Sequence, residues 1–148
     1  MRSGFVFAGF CVLFFVAMVP AQEGKSSRYG IALDVKSYPQ STAKEALASV
    51  IKAIDDKKIA YLTAQLADPA FVDDRVKRLY GGKFDEQVQD TQARLDPSTV
   101  KQLKRFLKEG KWTITATSAV VTLEEVKDCC VRLVRKDGRW YLEHRFAP

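Results

Sequence analysis

The stretch VRLVRKDGRWYLEHRF, residues 131–146, constrains the fold more than any other part of the chain. Asp137-Gly138 places side by side two residues that tolerate positive φ, which a two-residue type I′ hairpin turn requires. With that pair as the loop, Leu133 faces Leu142, Val131 faces His144, Cys129 faces Phe146 and Arg135 faces Trp140. On the other side Val134 meets Tyr141, and Arg132 meets Glu143 as an opposite-charge cross-strand pair. Turn chemistry and alternation agree on one register. The core side is then Cys129, Val131, Leu133, Trp140, Leu142 and Phe146, and the chain's one histidine, His144, shares it. Val134 and Tyr141 fall on the outer, exposed side.

Upstream of this hairpin the apolar period is helical. STAKEALASVIKAIDD carries a capping box, Thr42 with Glu45, and a stripe of Ala43, Leu47, Val50, Ile51 and Ile54. DKKIAYLTAQLAD predicts a second, shorter helix with Ile59, Leu62 and Leu66 inward. PAFVDDRVKRLYGG predicts a third, through Phe71 or Val72, Val76 and Leu79, and KFDEQVQDTQARLD a surface helix on Phe84, Val88 and Leu95. In DPSTVKQLKRFLKEG, Asp96 caps, Pro97 fits the first helical position and Gly110 fits just past the end. From Lys111 the period becomes 2: Trp112, Ile114 and Ala116 alternate with threonines as a half-buried strand. AVVTL continues it or forms a separate strand, and EEVKD (124–128) leads into the hairpin. Helices first and antiparallel strands last make an α+β domain with its helices packed on one sheet face.

That domain is expected over residues 38–148. Residues 22–37 read as a flexible leader and an extended arm in which Ile31, Leu33 and Val35 alternate. Residues 1–21 read as a signal peptide: Arg2 is the positive n-region, FVFAGFCVLFFVAMV (5–19) the apolar stretch, and VPA (19–21) the small-residue cleavage site. The run is too short to span a bilayer comfortably, so the expectation is periplasmic or secreted export, cleavage near Ala21 and no stable membrane span afterwards. The formal charge of +6, or +5 without Arg2, suits solubility and does not point to nucleic acid. Cys129 and Cys130 are adjacent, and neighbouring strand residues point to opposite faces, which is poor disulfide geometry. Two cysteines and one histidine offer no zinc spacing, so neither metal nor cofactor is expected.

The capped helix, the corner AIDDKKIAYLTAQLADPAF, a longer helical region and the closing LVRKDGRWYLE together resemble the nuclear-transport-factor-2-like (ketosteroid-isomerase-like, cystatin-like) superfamily, and most of all its small exported members of unknown role. The resemblance covers about residues 38–148. It implies a strongly curved, cone-like sheet wrapped on a helix around a pocket, and sheet-to-sheet homodimers. The helical stretch 84–109 departs from the family's earlier strands, implying fewer sheet strands or a helix partly closing the pocket.

Two functions follow as expectations. The first is a non-enzymatic binding domain for a small apolar ligand or an envelope protein, with Trp112, Trp140, Leu142, His144 and Phe146 lining the pocket. The alternative is an isomerase- or dehydratase-like enzyme with His144 moving the proton, its partner drawn from Asp34, Tyr61, Tyr80 or Asp128. Lys101, Lys104, Arg105 and Lys108 share one helix side, a basic surface for an anionic partner or simply a solvated face.

Overall fold

The computed structural model of the protein describes residues 26–143. The signal-peptide reading, the start of the leader, and the placements of His144 and Phe146 lie outside the described residues. Within them the chain is α+β. A two-residue hairpin, β1 (Ser27–Arg28) with β2 (Ile31–Ala32), precedes the helices α1 (Ala43–Asp55), α2 (Ile59–Tyr61), α3 (Pro69–Leu79), α4 (Phe84–Arg94) and α5 (Pro97–Glu109). The strands β3 (Lys111–Ile114), β4 (Ser118–Leu123), β5 (Val126–Lys136) and β6 (Arg139–Glu143) then form one antiparallel sheet in the order β3-β4-β5-β6. Among the described residues no helix is long and apolar enough to cross a membrane.

The terminal hairpin has the expected register. Asp137 and Gly138 both have positive φ, at 48° and 77°, and Arg132 faces Glu143, Leu133 Leu142, Val134 Tyr141 and Arg135 Trp140. AVVTL belongs to a separate strand, β4, and β5 begins at Val126, so the polar connection is only Glu124-Glu125. Two facial assignments differ from the alternation. Cys129 is exposed rather than on the core side, because the β4–β5 register shifts between Thr122 and Leu123, bringing Leu123 opposite Val126. Such a bulge turns the strand locally and re-aims its side chains. Tyr141, expected to be exposed at a dimer face, is only 3% accessible. The Arg139 guanidinium lies 5.1 Å from its ring centroid, and Arg28 and Asp68 stand close enough to act on its hydroxyl.

Arg28 belongs to the arm, which is strapped down rather than loose. It pairs with Asp73, while the Tyr29 hydroxyl donates to Asp73 at 2.6 Å and the Tyr29 ring stacks on Phe84 at 4.1 Å. Only Ile31 and Leu33 of the alternating arm residues are half-buried; Val35 is exposed.

The capping box at the start of α1 forms in both directions: Thr42 Oγ1 accepts from Glu45 N at 3.2 Å, and the Glu45 carboxylate accepts from Thr42 N at 3.0 Å. The second helix departs from its 3.6 period. After Tyr61 the chain widens into a π turn, Leu62–Leu66, with all five residues buried and Ala67 N donating to Leu62 O at 2.9 Å. The cause lies in distant partners of Gln65, which is fully buried. Its side-chain nitrogen donates to Ser26 O and Ile31 O at 3.1 and 2.7 Å, and its backbone carbonyl accepts from Gln40 Nε2 at 3.1 Å. The widened turn delivers Ala67 and Asp68 to the open side of β6, where Asp68 N donates to Leu142 O at 2.9 Å. Trp140 N donates to Gln40 O at 3.0 Å and Gln40 Nε2 to Trp140 O at 2.8 Å. The β6 edge is thereby covered, which removes a surface prone to unwanted strand pairing.

The core has two parts. Leu47, Ile51, Phe106, Val121, Leu133 and Trp140 join α1 and α5 to the sheet, and Tyr38, Val50, Tyr61, Leu62 and Leu66 join α1 to the second helix and the arm. Leu79 and Ile114, expected inward, are 62% and 52% exposed. Leu79 closes the last turn of α3 and Ile114 ends the outermost strand, both beyond the facing layer.

Candidate functional site

Between the two parts of the core lies a partly open cavity of about 350 Å³. Its apolar wall is built by Ile54 of α1, Leu62 of the π turn, Leu103 and Phe106 of α5, and Val131 and Leu142 of the sheet. Each has a local reason to point there. Leu103 and Phe106 lie three apart on α5, whose start is set by Asp96, accepting from Thr99 N at 2.7 Å, with Pro97 at the first turn. Leu62 faces in at the end of α2, where its N still donates to Lys58 O at 3.0 Å in the α-helical pattern. Val131 and Leu142 occupy the core side of the terminal hairpin.

The charged and polar residues Arg75, Gln87, Asp90 and Arg94 of the lining come from α3 and α4. Arg75, 9% exposed, is gripped on several sides: Nε donates to Gln87 Oε1 at 3.2 Å, and one terminal nitrogen to the Tyr80 hydroxyl at 3.0 Å and to Asp90 Oδ2 at 3.1 Å. The same Asp90 oxygen accepts from Tyr80 at 2.8 Å and from Arg94 Nε at 3.1 Å. Gln87, only 5% exposed, is the one buried residue of α4, a helix read from sequence as a polar surface element. Gln87, Asp90 and Arg94 share a helix face through their spacing of three and four. That spacing was the available signal, and it is indistinguishable in sequence from a solvated stripe.

The Tyr80 hydroxyl, followed by the Arg94 and Arg75 guanidinium groups, holds the Asp90 carboxyl below its ordinary range. Asp90 is thus a structural anion, with three hydrogen bonds on Oδ2, and is ill suited to taking a proton. A carboxyl depressed in the folded state binds fewer protons there than in the unfolded chain. Its contribution is complete above the ordinary carboxyl range, about pH 4, and is lost as the pH falls through the folded value. Urea midpoints are expected to fall as the pH drops below about 4, and Asp90→Asn to lose less across that interval than the parent. An identical acid limb in the two proteins would contradict this role for Asp90.

The sequence-predicted pocket residues divide. Leu142 lines the cavity, whereas Trp140 is 5% exposed in the core and Trp112 packs against the same core from its edge. His144 and Phe146 lie outside the described residues, so the enzyme reading has no described proton-transfer group. Of its suggested partners, Tyr61 accepts from Asp34 N at 3.0 Å and donates to Asp34 O at 3.2 Å, holding the arm. Cys129 and Cys130 are free thiols at the cavity's edge. The basic surface is partly neutralised: Lys104 pairs with Asp55 at 3.0 Å, and Arg105 with Glu109 at 3.2 Å and Glu125 at 2.8 Å, while Lys101 and Lys108 are exposed. No protein-family model, curated protein or solved structure matches the chain.

Proposed function

We propose that this domain is a binding protein for a small apolar molecule, held between the helical layer and the sheet, and that it acts by binding rather than catalysis. The observation that carries this reading is the cavity of about 350 Å³, which falls in the size range of small-molecule sites and joins apolar walls to a few convergent polar groups. The sequence resemblance to the nuclear-transport-factor-2-like superfamily implies the same kind of pocket, between helices and a sheet. Asp90, the carboxylate beside Arg75 and Arg94, is held ionised and accepts three hydrogen bonds on one oxygen, which suits a fixed structural anion better than a proton-transfer group.

Titration with the apolar dye N-phenyl-1-naphthylamine tests this. Saturable fluorescence enhancement is expected, and Leu103→Trp, which fills the cavity from half-buried α5, should weaken it at least about tenfold, or ~1.4 kcal/mol. Equal affinity in a folded Leu103→Trp protein would contradict the reading.

The protein is further proposed to act after export. Arg2, the apolar run 5–19 and the small residues of VPA support this. Mass spectrometry of the product recovered outside the cytoplasm should find an N-terminus at or within about two residues of Gln22, as the cleavage-site spacing requires. A product retaining Met1 would contradict it.

A further inference from the structure

We propose that the ligand carries an uncharged carboxamide on its apolar body, and that Gln102 is the side chain that selects it. This rests on the binding reading above and adds the ligand's polar group and the residue that reads it. Thr99, Gln102, Leu103 and Phe106 of α5 all line the cavity. They recur at helical spacing, so one face of α5 supplies them. Gln102 therefore stands half-buried on the same wall as Leu103 and Phe106, beside a largely apolar space.

The other amide and hydroxyl side chains of the lining are engaged with the protein. Thr63 Oγ1 donates to Ile59 O at 2.9 Å, and Thr91 Oγ1 to Gln87 O at 2.9 Å. Gln87 donates to Thr91 Oγ1 at 3.3 Å and accepts from Arg75 Nε at 3.2 Å. The Thr99 side chain helps to hold the Asp96 carboxyl below its ordinary range. The Gln102 carboxamide has no hydrogen-bond partner among the described residues. Polar groups removed from water are ordinarily bonded, so a carboxamide left unmet on a cavity wall is a point of recognition. It brings a donor, Nε2, and an acceptor, Oε1. A ketone or an ester would meet the donor alone. An ionised group would shed its hydration against a neutral side chain, at a cost that one hydrogen bond does not return. A second carboxamide carries N–H and C=O on one edge and meets both atoms at once, leaving its hydrocarbon to the apolar wall.

The experiment measures 2-naphthamide and 2-ethylnaphthalene, two bodies of similar outline with and without the carboxamide, as competitors of N-phenyl-1-naphthylamine. Both are titrated against the purified chain and against Gln102→Met. Methionine is unbranched like glutamine and has a similar helix propensity, so α5 keeps its shape. Gln102→Met is expected to weaken 2-naphthamide by about three- to tenfold, the net worth of a hydrogen bond or two, and to leave 2-ethylnaphthalene within about twofold. Retained binding of 2-ethylnaphthalene also shows that the variant is folded. If the parent binds 2-ethylnaphthalene but not 2-naphthamide, or Gln102→Met weakens both equally or neither, the role of Gln102 is overturned while apolar binding stands. If neither competitor displaces the dye from the parent, the binding reading falls and the inference with it.

Discussion

Replacing Phe106 with alanine is expected to destabilise the domain by about 3–5 kcal/mol. Phe106 is 1% exposed and sits where α5, α1 and the sheet meet, alongside Leu47, Val121 and Leu133. Its ring also forms part of the cavity wall. Truncating a buried aromatic removes its transfer free energy and adds the cost of the space left behind, which is smaller where neighbours can collapse. Collapse is hindered here: the vacated volume would open onto a cavity of about 350 Å³, so the walls on that side have nothing to move against. The upper part of the range is therefore expected, a fall in melting temperature on the order of 10–20 °C for a domain of this size. Urea unfolding followed by far-ultraviolet circular dichroism would measure it. A loss below about 1 kcal/mol would mean that Phe106 does not join helices to sheet.

Gly110→Ala is expected to cost about 2–3 kcal/mol, and the reason is space rather than backbone handedness. Sequence reasoning placed Gly110 just past the end of α5, where glycine commonly adopts the left-handed conformation. Its φ is −70° with ψ 146°, an extended conformation open to any residue. A Cβ there would lie well inside contact distance of the Phe106 carbonyl oxygen and of Val121 Cγ2. Glycine thus lets the chain turn directly from α5 into β3 while Gly110 N donates to Phe106 O at 3.1 Å. Where alanine fits without strain, the same substitution stabilises by about 0.4–1 kcal/mol through the unfolded chain, so the sign alone is diagnostic. The double variant Gly110→Ala with Val121→Ala should show coupling, because the two side chains compete for one space. Part of the steric penalty should disappear and part remain, since the contact with the Phe106 carbonyl persists. A stabilised Gly110→Ala would show that α5 and β4 stand further apart than described.

The local signals read most reliably. Thr42 with Glu45, Asp96 with Pro97, and Asp137 with Gly138 each place a boundary through contacts within a few residues, and all three boundaries stand where these pairs put them. The features that escaped are set by distant partners. The π turn depends on Gln65 reaching Ser26 and Ile31, which no helical period records. The exposure of Cys129 depends on a bulge whose position is decided by the pairing of two strands. Tyr141 is buried because the arm and the corner before α3 cover a sheet face that alternation assigns to water. The polar lining from α3 and α4 is the most instructive case. Arg75, Gln87 and Asp90 are residue types that ordinarily face solvent, and they turn inward here because they satisfy one another.

A methyl-resolved NMR titration with N-phenyl-1-naphthylamine tests the central claim most directly, that an apolar body enters the space between helices and sheet. Shifts concentrated on the methyl groups of Leu62, Leu103, Val131 and Leu142, which line that space, are predicted. Shifts confined to the exposed side chains Val35, Leu79 and Ile114, or none at saturating ligand, would contradict it.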